Sequence, residues 1–182
     1  MIELLRKRRS IRSYSAETID RATVELLIEA LLRSPSSRNI NPWEFIVVDD
    51  RALLSQLSRA KEHGSAFLKG AQLGIVVCAD STRSDVWVED CSIASILVQM
   101  TALSVGLGSC WIQIRKRSHD AASSSEEYIQ KLLGLPEHVK VLSIISIGHP
   151  DQVREPLAAA ELDSFKVKHN RFDEPWYPQG KA

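Results

Sequence analysis

The longest helical segment in the sequence opens at Ser84 or Asp85, reaches about Val105, and is apolar on more than one face. A helix of that kind has no side to give to water. It must lie at the centre of the fold or in an interface. Its most apolar part, Ile93 to Leu107, is about fifteen residues long and still carries Ser95, Gln99, Thr101 and Ser104. A membrane span needs roughly twenty apolar residues, so the segment reads as a buried helix.

The other elements arrange themselves around it. Asp20 is placed to cap a helix whose apolar residues Val24, Leu27, Ile28 and Leu31 recur at helical spacing. Pro35 disfavours helical geometry at the residue before it, so that helix ends near Ser34. Pro35 to Pro42 is a polar loop, and Phe45 to Val48 a short buried strand. Asp50 opens a further helix through Leu53, Leu54, Leu57 and Ala60, followed by a buried strand over Leu73 to Ala79. Gly106 and Gly108 punctuate the end of the long helix. Ser109 to Ile114 is a strand, Ser123 to Glu126 a capping box for a helix closed by Gly134, and Val139 to Ile147 a strand of strong β-propensity. The sum is about four strands with about five helices in one domain, an α/β or α+β sandwich whose strand order the pattern leaves open.

The last stretch, from Pro150 to Ala182, is rich in proline and charge and too poor in apolar residues to make a core. It ends in Phe172, Trp176 and Tyr177, so it is expected to lie on something, and a partner subunit is the natural candidate.

A chain of 182 residues can bury a real core, and 44% hydrophobic with 25% charged residues is ordinary for a globular domain. Lys and Arg number 23, as do Asp and Glu. This balance gives no support to a polyanion-coating role. Cys78, Cys91 and Cys110 form no C-x-x-C pair and read as reduced thiols, Cys78 and Cys110 as small buried hydrophobes. The charged N-terminus has no apolar stretch behind it and is not a secretory signal. A soluble, cytoplasmic protein is expected.

Two segments could carry chemistry. In Arg6-Lys7-Arg8-Arg9-Ser10-Ile11-Arg12, five of seven residues are cationic. Such a cluster suits a phosphate, a nucleic-acid or localisation patch, or a solvated helix end. If helical, it would put Arg8 and Arg12 on one face. A nucleic-acid site would also want aromatic platforms beside the cations, and none is there. In Pro35-Ser36-Ser37-Arg38-Asn39-Ile40-Asn41-Pro42-Trp43, small polar residues between prolines form either a rigid donor-rich loop or an ordinary turn. The five histidines show no H-x-x-x-H or H-x-H spacing, and no Walker A, G-x-G-x-x-G or G-x-S-x-G motif occurs. No metal site and no nucleophile or acid–base pair is expected. An enzyme built on this chain would leave the chemistry to a cofactor.

Taken together, Arg8-Arg9-Ser10-Ile11-Arg12, Pro35-Ser36-Ser37-x-Asn39-x-Asn41-Pro42-Trp43, Gly106-Leu107-Gly108-Ser109-Cys110-Trp111-Ile112 and Ile147-Gly148-His149-Pro150 resemble the FMN-dependent nitroreductase family, in order and at suitable spacing. The closing segment Phe165 to Phe172 is similar to that of one subgroup. The resemblance implies an α+β fold, with helices around a mixed sheet, in an intertwined homodimer whose tail from about residue 150 packs on the partner. Two FMN molecules would sit in the dimer interface. It implies that Arg8, Arg9 and Ser10 hold the phosphate and ribityl chain, and that Arg12 approaches the N1/O2 edge of the ring. Pro35, Ser36, Ser37 and Asn39 would come from the other subunit. Trp111, Ile112 and Gln113 would lie near the ring through their backbone, and Gly148 would mark a turn near the phosphate.

The activity so implied is hydride transfer from NAD(P)H through flavin N5 to a nitroaromatic, quinone or other electron-poor small molecule, in ping-pong fashion, with no essential protein acid or base. The alternatives are an FMN sensor or store without efficient turnover, and a specialised flavin-cleaving or dehalogenating relative. The chain departs from the family at Asn41, where Gln is more usual. It departs again after Pro150, where basic residues commonly reach the phosphate and this chain runs Glu155 to Ala160. A second basic contact is then expected from Lys166 or Lys168, or is missing.

Overall fold

The computed structural model describes residues 1–177. Its elements are α1 (Ile2–Lys7), α2 (Arg21–Leu32), β1 (Trp43–Val48), α3 (Arg51–Leu57), β2 (Leu73–Asp80), α4 (Trp87–Ser104), β3 (Gly108–Gln113), α5 (Ser125–Leu133) and β4 (Val139–Gly148). The sheet runs β1-β2-β4-β3. All three ladders are antiparallel, and among the described residues the one parallel pairing is a bridge from Ser10 to Ser109 on the outer edge of β3. The mixed character expected of the sheet is confined to that bridge.

β2 alternates its side chains between two apolar layers. Ile75, Val77 and Ala79 meet α2 and α4, while Val76 and Cys78 meet α3, α5 and the turn at Leu68. The strand is buried on both faces, which is why its sequence shows no polar alternation. The helix ends follow their local chemistry. Asp20 and Asp50 accept the backbone N–H groups of Thr23 and Leu53. Gly134 closes α5 in the left-handed conformation at φ 68°. The capping box of α5 is Ser124 with Glu127, one residue later than the spacing suggests. Ser84 and Asp85 do not cap α4. Ser84 donates to Asp90 and Asp85 pairs with Arg38.

In α4, Cys91, Ala94, Val98 and Ala102 enter the core, yet Ile93 and Ile96 are each 39% exposed. They stand at the middle of the helix, the place where an apolar face is least expected to meet water. The segment after Pro150 keeps only two short turns, at Ala159–Glu161 and Ser164–Lys166, and leaves Val153, Phe165, Phe172 and Trp176 exposed. Its last five residues, 178–182, lie outside the described residues. Among the described residues no helix is long and apolar enough to cross a membrane.

Candidate functional site

Arg8 to Arg12 are not helical. α1 stops at Lys7, Arg8 turns extended at φ −61° and ψ 123°, and Ser10 joins the edge of β3. The Ile11 N–H donates to the Ser109 carbonyl at 2.9 Å. Edge pairing, a non-local contact, overrides whatever helical preference the cluster has. The expected alignment of Arg8 with Arg12 survives for a different reason: an extended chain repeats every two residues, so Arg8, Ser10 and Arg12 share one side. All three act on the Cys110 thiol. Burial pushes that thiol up, and Arg12, Ser10 and Arg8 oppose the shift.

Two glycines let the arm lie this close. A Cβ at Gly108 would stand 2.8 Å from Ile11, and one at Gly148 would stand 2.9 Å from the Tyr14 ring. So Gly108 is not helix punctuation, a role Gly106 alone takes at φ 81°. Gly148 serves as the seat of an aromatic ring.

A cleft of 880 Å³ opens between the arm and the tail, lined by Arg8, Arg9, Ser10, Arg12 and, from the tail, Arg154 and Leu157. A smaller cavity of 260 Å³ shares Arg8, Arg9 and Arg154 and adds Ser109 and Gln152. Volumes of this order suit a small-molecule cofactor. Arg6, Arg21, Arg33 and Arg38 each pair with a carboxylate, whereas Arg8, Arg9, Arg12 and Arg154 have no acidic partner among the described residues. The Gln152 amide Nε2 is buried there without a hydrogen-bond acceptor. Grouped unpaired guanidinium ions with an orphaned N–H donor call for an anion. The second basic residue at this place is Arg154. Lys166 pairs instead with Asp163 at 3.4 Å, and Lys168 lies over the Phe172 ring. Sequence reasoning passed over Arg154 and Gln152 because both sit in a stretch with no periodic pattern.

On β3 the Ser109 carbonyl faces the outer edge, and the two-residue repeat puts the backbone of Trp111 and Gln113 on that edge too. Ile112 differs from its neighbours: its backbone turns to β4 and its side chain is buried in the core. The Trp111 indole donates to Gln113 Oε1 at 2.9 Å. Phe67 lies under Arg12, 5.8 Å from its guanidinium carbon, and Lys61 is close enough to Cys110 to feel it. Burial, then the charge of Arg117, lowers the Lys61 pKa. Neither Phe67 nor Lys61 carries a motif that would have singled it out.

The second segment sits elsewhere. Arg38, Asn39 and Asn41 all have φ between 51° and 54°, a left-handed conformation that costs free energy outside glycine. Ser36 Oγ accepts the Asn41 N–H at 2.9 Å and bonds Asn41 Oδ1 at 2.6 Å, so Asn41 closes the loop from within. The Ser37 N–H donates at 2.8 Å to Asp90, a carboxylate only 2% exposed in the first turn of α4. The Ser37 hydroxyl and the Asn39 side-chain amide bond nothing among the described residues, while the Asn39 backbone N–H donates to Ser36. Asp90 therefore anchors the loop to α4. Asp90→Ala is expected to lower unfolding free energy by about 1.5–3 kcal/mol, the range for a hydrogen bond to a charged group, read from urea denaturation.

The two segments stand at opposite ends of α4. The loop docks on its first turn, while Arg8 and Arg9 lie by Leu103 in its last turn and Gly106 just past it. Asp90 and Leu103 stand thirteen residues apart along the helix, about 20 Å at 1.5 Å per residue. The thiols offer no nucleophile: burial pushes Cys78 up to about 12 and raises Cys91 as well. Among the described residues no three His, Cys, Asp or Glu side chains are grouped as metal ligands.

Comparison with known proteins gives the family of this fold. The model of the Nitroreductase family matches residues 5–64 and 52–149. The structure of an FMN-dependent nitroreductase from Clostridium difficile superposes with a TM-score of 0.93 at 43% identity, over 94% of this chain and 100% of that one. A protein of Archaeoglobus fulgidus, provisionally described as an NADH dehydrogenase/NAD(P)H nitroreductase, is 36% identical over 85% of this chain and 87% of its own. The NADPH:FMN oxidoreductase of Vibrio harveyi, solved with NAD+, superposes with a TM-score of 0.77 at 26% identity, over 95% of this chain and 78% of that one.

Proposed function

Because the chain belongs to the nitroreductase family, we propose that it is an NAD(P)H-dependent FMN oxidoreductase whose flavin sites are each built by two copies of the chain. Bound FMN would supply the two-electron chemistry, linking NAD(P)H to a flat electron-poor acceptor such as a nitroaromatic or a quinone in a ping-pong cycle. The observation that carries the reading is the set of arginines without acidic partners, meeting a buried unpaired amide beside a cleft of cofactor size.

Arg8, Arg9, Arg154 and Gln152 would hold the dianionic phosphate, and Ser10 the ribityl chain. Arg12, extended along the same side, would stand at the N1/O2 edge and favour negative charge there. Trp111 and Gln113 would offer edge backbone groups to the ring. Arg154 supplies the basic contact whose absence would have favoured a weak binder without turnover.

The separation along α4 supports a shared site. A loop and an arm about 20 Å apart along the helix would not meet around one flavin ring from the same chain. Two copies packed antiparallel through the Ile93 and Ile96 face bring the loop of each against the arm of the other, twice, by symmetry. The single domain would then carry the segment from residue 150 onward as an extension toward its partner.

The test has two parts. The purified protein is expected to show a flavin absorption band that NADPH bleaches. Arg8→Ala and a Ser37→Ala/Asn39→Ala variant are then each expected to lose flavin. Unfolded and refolded together, they should regain about a quarter of the wild-type content, since half the dimers are mixed and each has one intact site. No regain on mixing would mean that arm and loop serve separate functions.

A further inference from the structure

Tyr14 lies just past the arginine arm, and its side chain contacts both of the chain segments that carry the anion site. Its hydroxyl donates to the Ile11 carbonyl at 2.6 Å and bonds Ser146 Oγ at 2.7 Å. Ser146 Oγ, whose one proton then goes to Tyr14, lies 3.2 Å from the Cys110 carbonyl. The ring rests on Gly148, where even one methyl group would collide with it. Backbone pairing brackets the same residue: Tyr14 bridges to Pro150, the Ser15 N–H donates to His149, and the Asp151 N–H donates to Ser13. One side of this knot leads to Arg8, Ser10 and Arg12. The other leads within a few residues to Gln152 and Arg154.

We infer that Tyr14 is a positioning residue for the anion site, fixing the arginine arm and the segment from Gly148 to Arg154 to each other so that Arg8 and Arg154 face one phosphate. The inference rests on the reading of that site as the FMN phosphate site. Two chain segments far apart in sequence must present their cations at a common point. A charge-assisted hydrogen bond weakens steeply as its geometry loosens. The hydroxyl holds Ile11, whose neighbours are Ser10 and Arg12, and the ring holds the glycine that starts the second segment. Tyr14 itself touches neither cleft and need not touch the flavin.

The experiment compares FMN with riboflavin, which lacks the phosphate, by fluorescence titration of the wild type and of Tyr14→Phe as full-length proteins. The phenylalanine keeps the ring on Gly148 and removes only the hydroxyl. The FMN-to-riboflavin affinity ratio is expected to fall about tenfold, as for loss of one charge-assisted contact, with riboflavin affinity changed less than about twofold. A general loosening of the fold would weaken both ligands together and leave the ratio alone. Gly148→Ala, which keeps the hydroxyl but displaces the ring, is expected to lower the ratio in the same direction. In the apoprotein, amide exchange at Ile11 should quicken in both variants. Wild-type binding of FMN with an unchanged ratio in Tyr14→Phe would overturn the inference alone. Failure of the wild type to prefer FMN to riboflavin would overturn the phosphate reading and the inference with it.

Discussion

Arg8→Ala is expected to retain FMN about ten- to a hundredfold less tightly than the wild type, the cost of one charge-assisted phosphate contact at roughly 1.5–3 kcal/mol. Arg6→Ala, two residues away, should stay within about twofold, the behaviour of an exposed surface ion pair. The contrast follows from what each cation touches. Arg6 borders the larger cleft too, but it is on α1 and pairs with Glu3, so its charge is already met. Arg8 lines both cavities and has no acidic partner among the described residues. Equilibrium dialysis against FMN at fixed ionic strength measures both. Equal losses would point to a diffuse positive field in place of a site, and would also show a common salt dependence.

Placing aspartates at Ile93 and Ile96 together is expected to give a monomer that holds no measurable flavin. Each isoleucine is partly exposed at the middle of α4 in the single chain and would be buried when a second α4 packs there. Two carboxylates facing two more across a twofold axis must be desolvated without partners, which costs several kcal/mol and leaves no stable pair. With arm and loop meeting between copies, as proposed, the flavin site would vanish with the dimer although every residue named for it is intact. Sedimentation velocity gives the mass and the absorption spectrum gives the flavin content. A monomer that keeps full flavin would mean that one chain suffices. An unchanged dimer would move the interface to another face.

The parts of the fold that local chemistry decides were legible in the sequence. Asp20 and Asp50 cap where expected, Gly134 ends α5, and the buried run of β2 reads as a strand because it is covered on both sides. What local chemistry does not decide was not. The cationic run from Arg8 to Arg12 looks the same in a helix or an extended chain; the edge of β3 chooses, and β3 lies some hundred residues further on. Gly148 and Gly108 read as turn residues until Tyr14 and Ile11 are seen lying against them. Which of Trp111, Ile112 and Gln113 can offer backbone to a ligand depends on which strand pairs with which edge, and the strand order β1-β2-β4-β3 has no signature in any single segment. Arg154 and Gln152 stand in a stretch whose only order is its contact with the arm.

The loop from Ser36 to Asn41 keeps a shape that its own residues would not choose. Arg38 in particular sits where a long side chain rarely stays without compulsion. Such a shape is held by what surrounds it, here the Asp90 carboxylate, and it has no memory once released. On warming, this corner of the molecule should therefore give way while the sheet and α4 still stand. Loss of yellow colour would then run ahead of loss of helix, and a melting curve followed through the cofactor would report the release of six residues and not the unfolding of a protein.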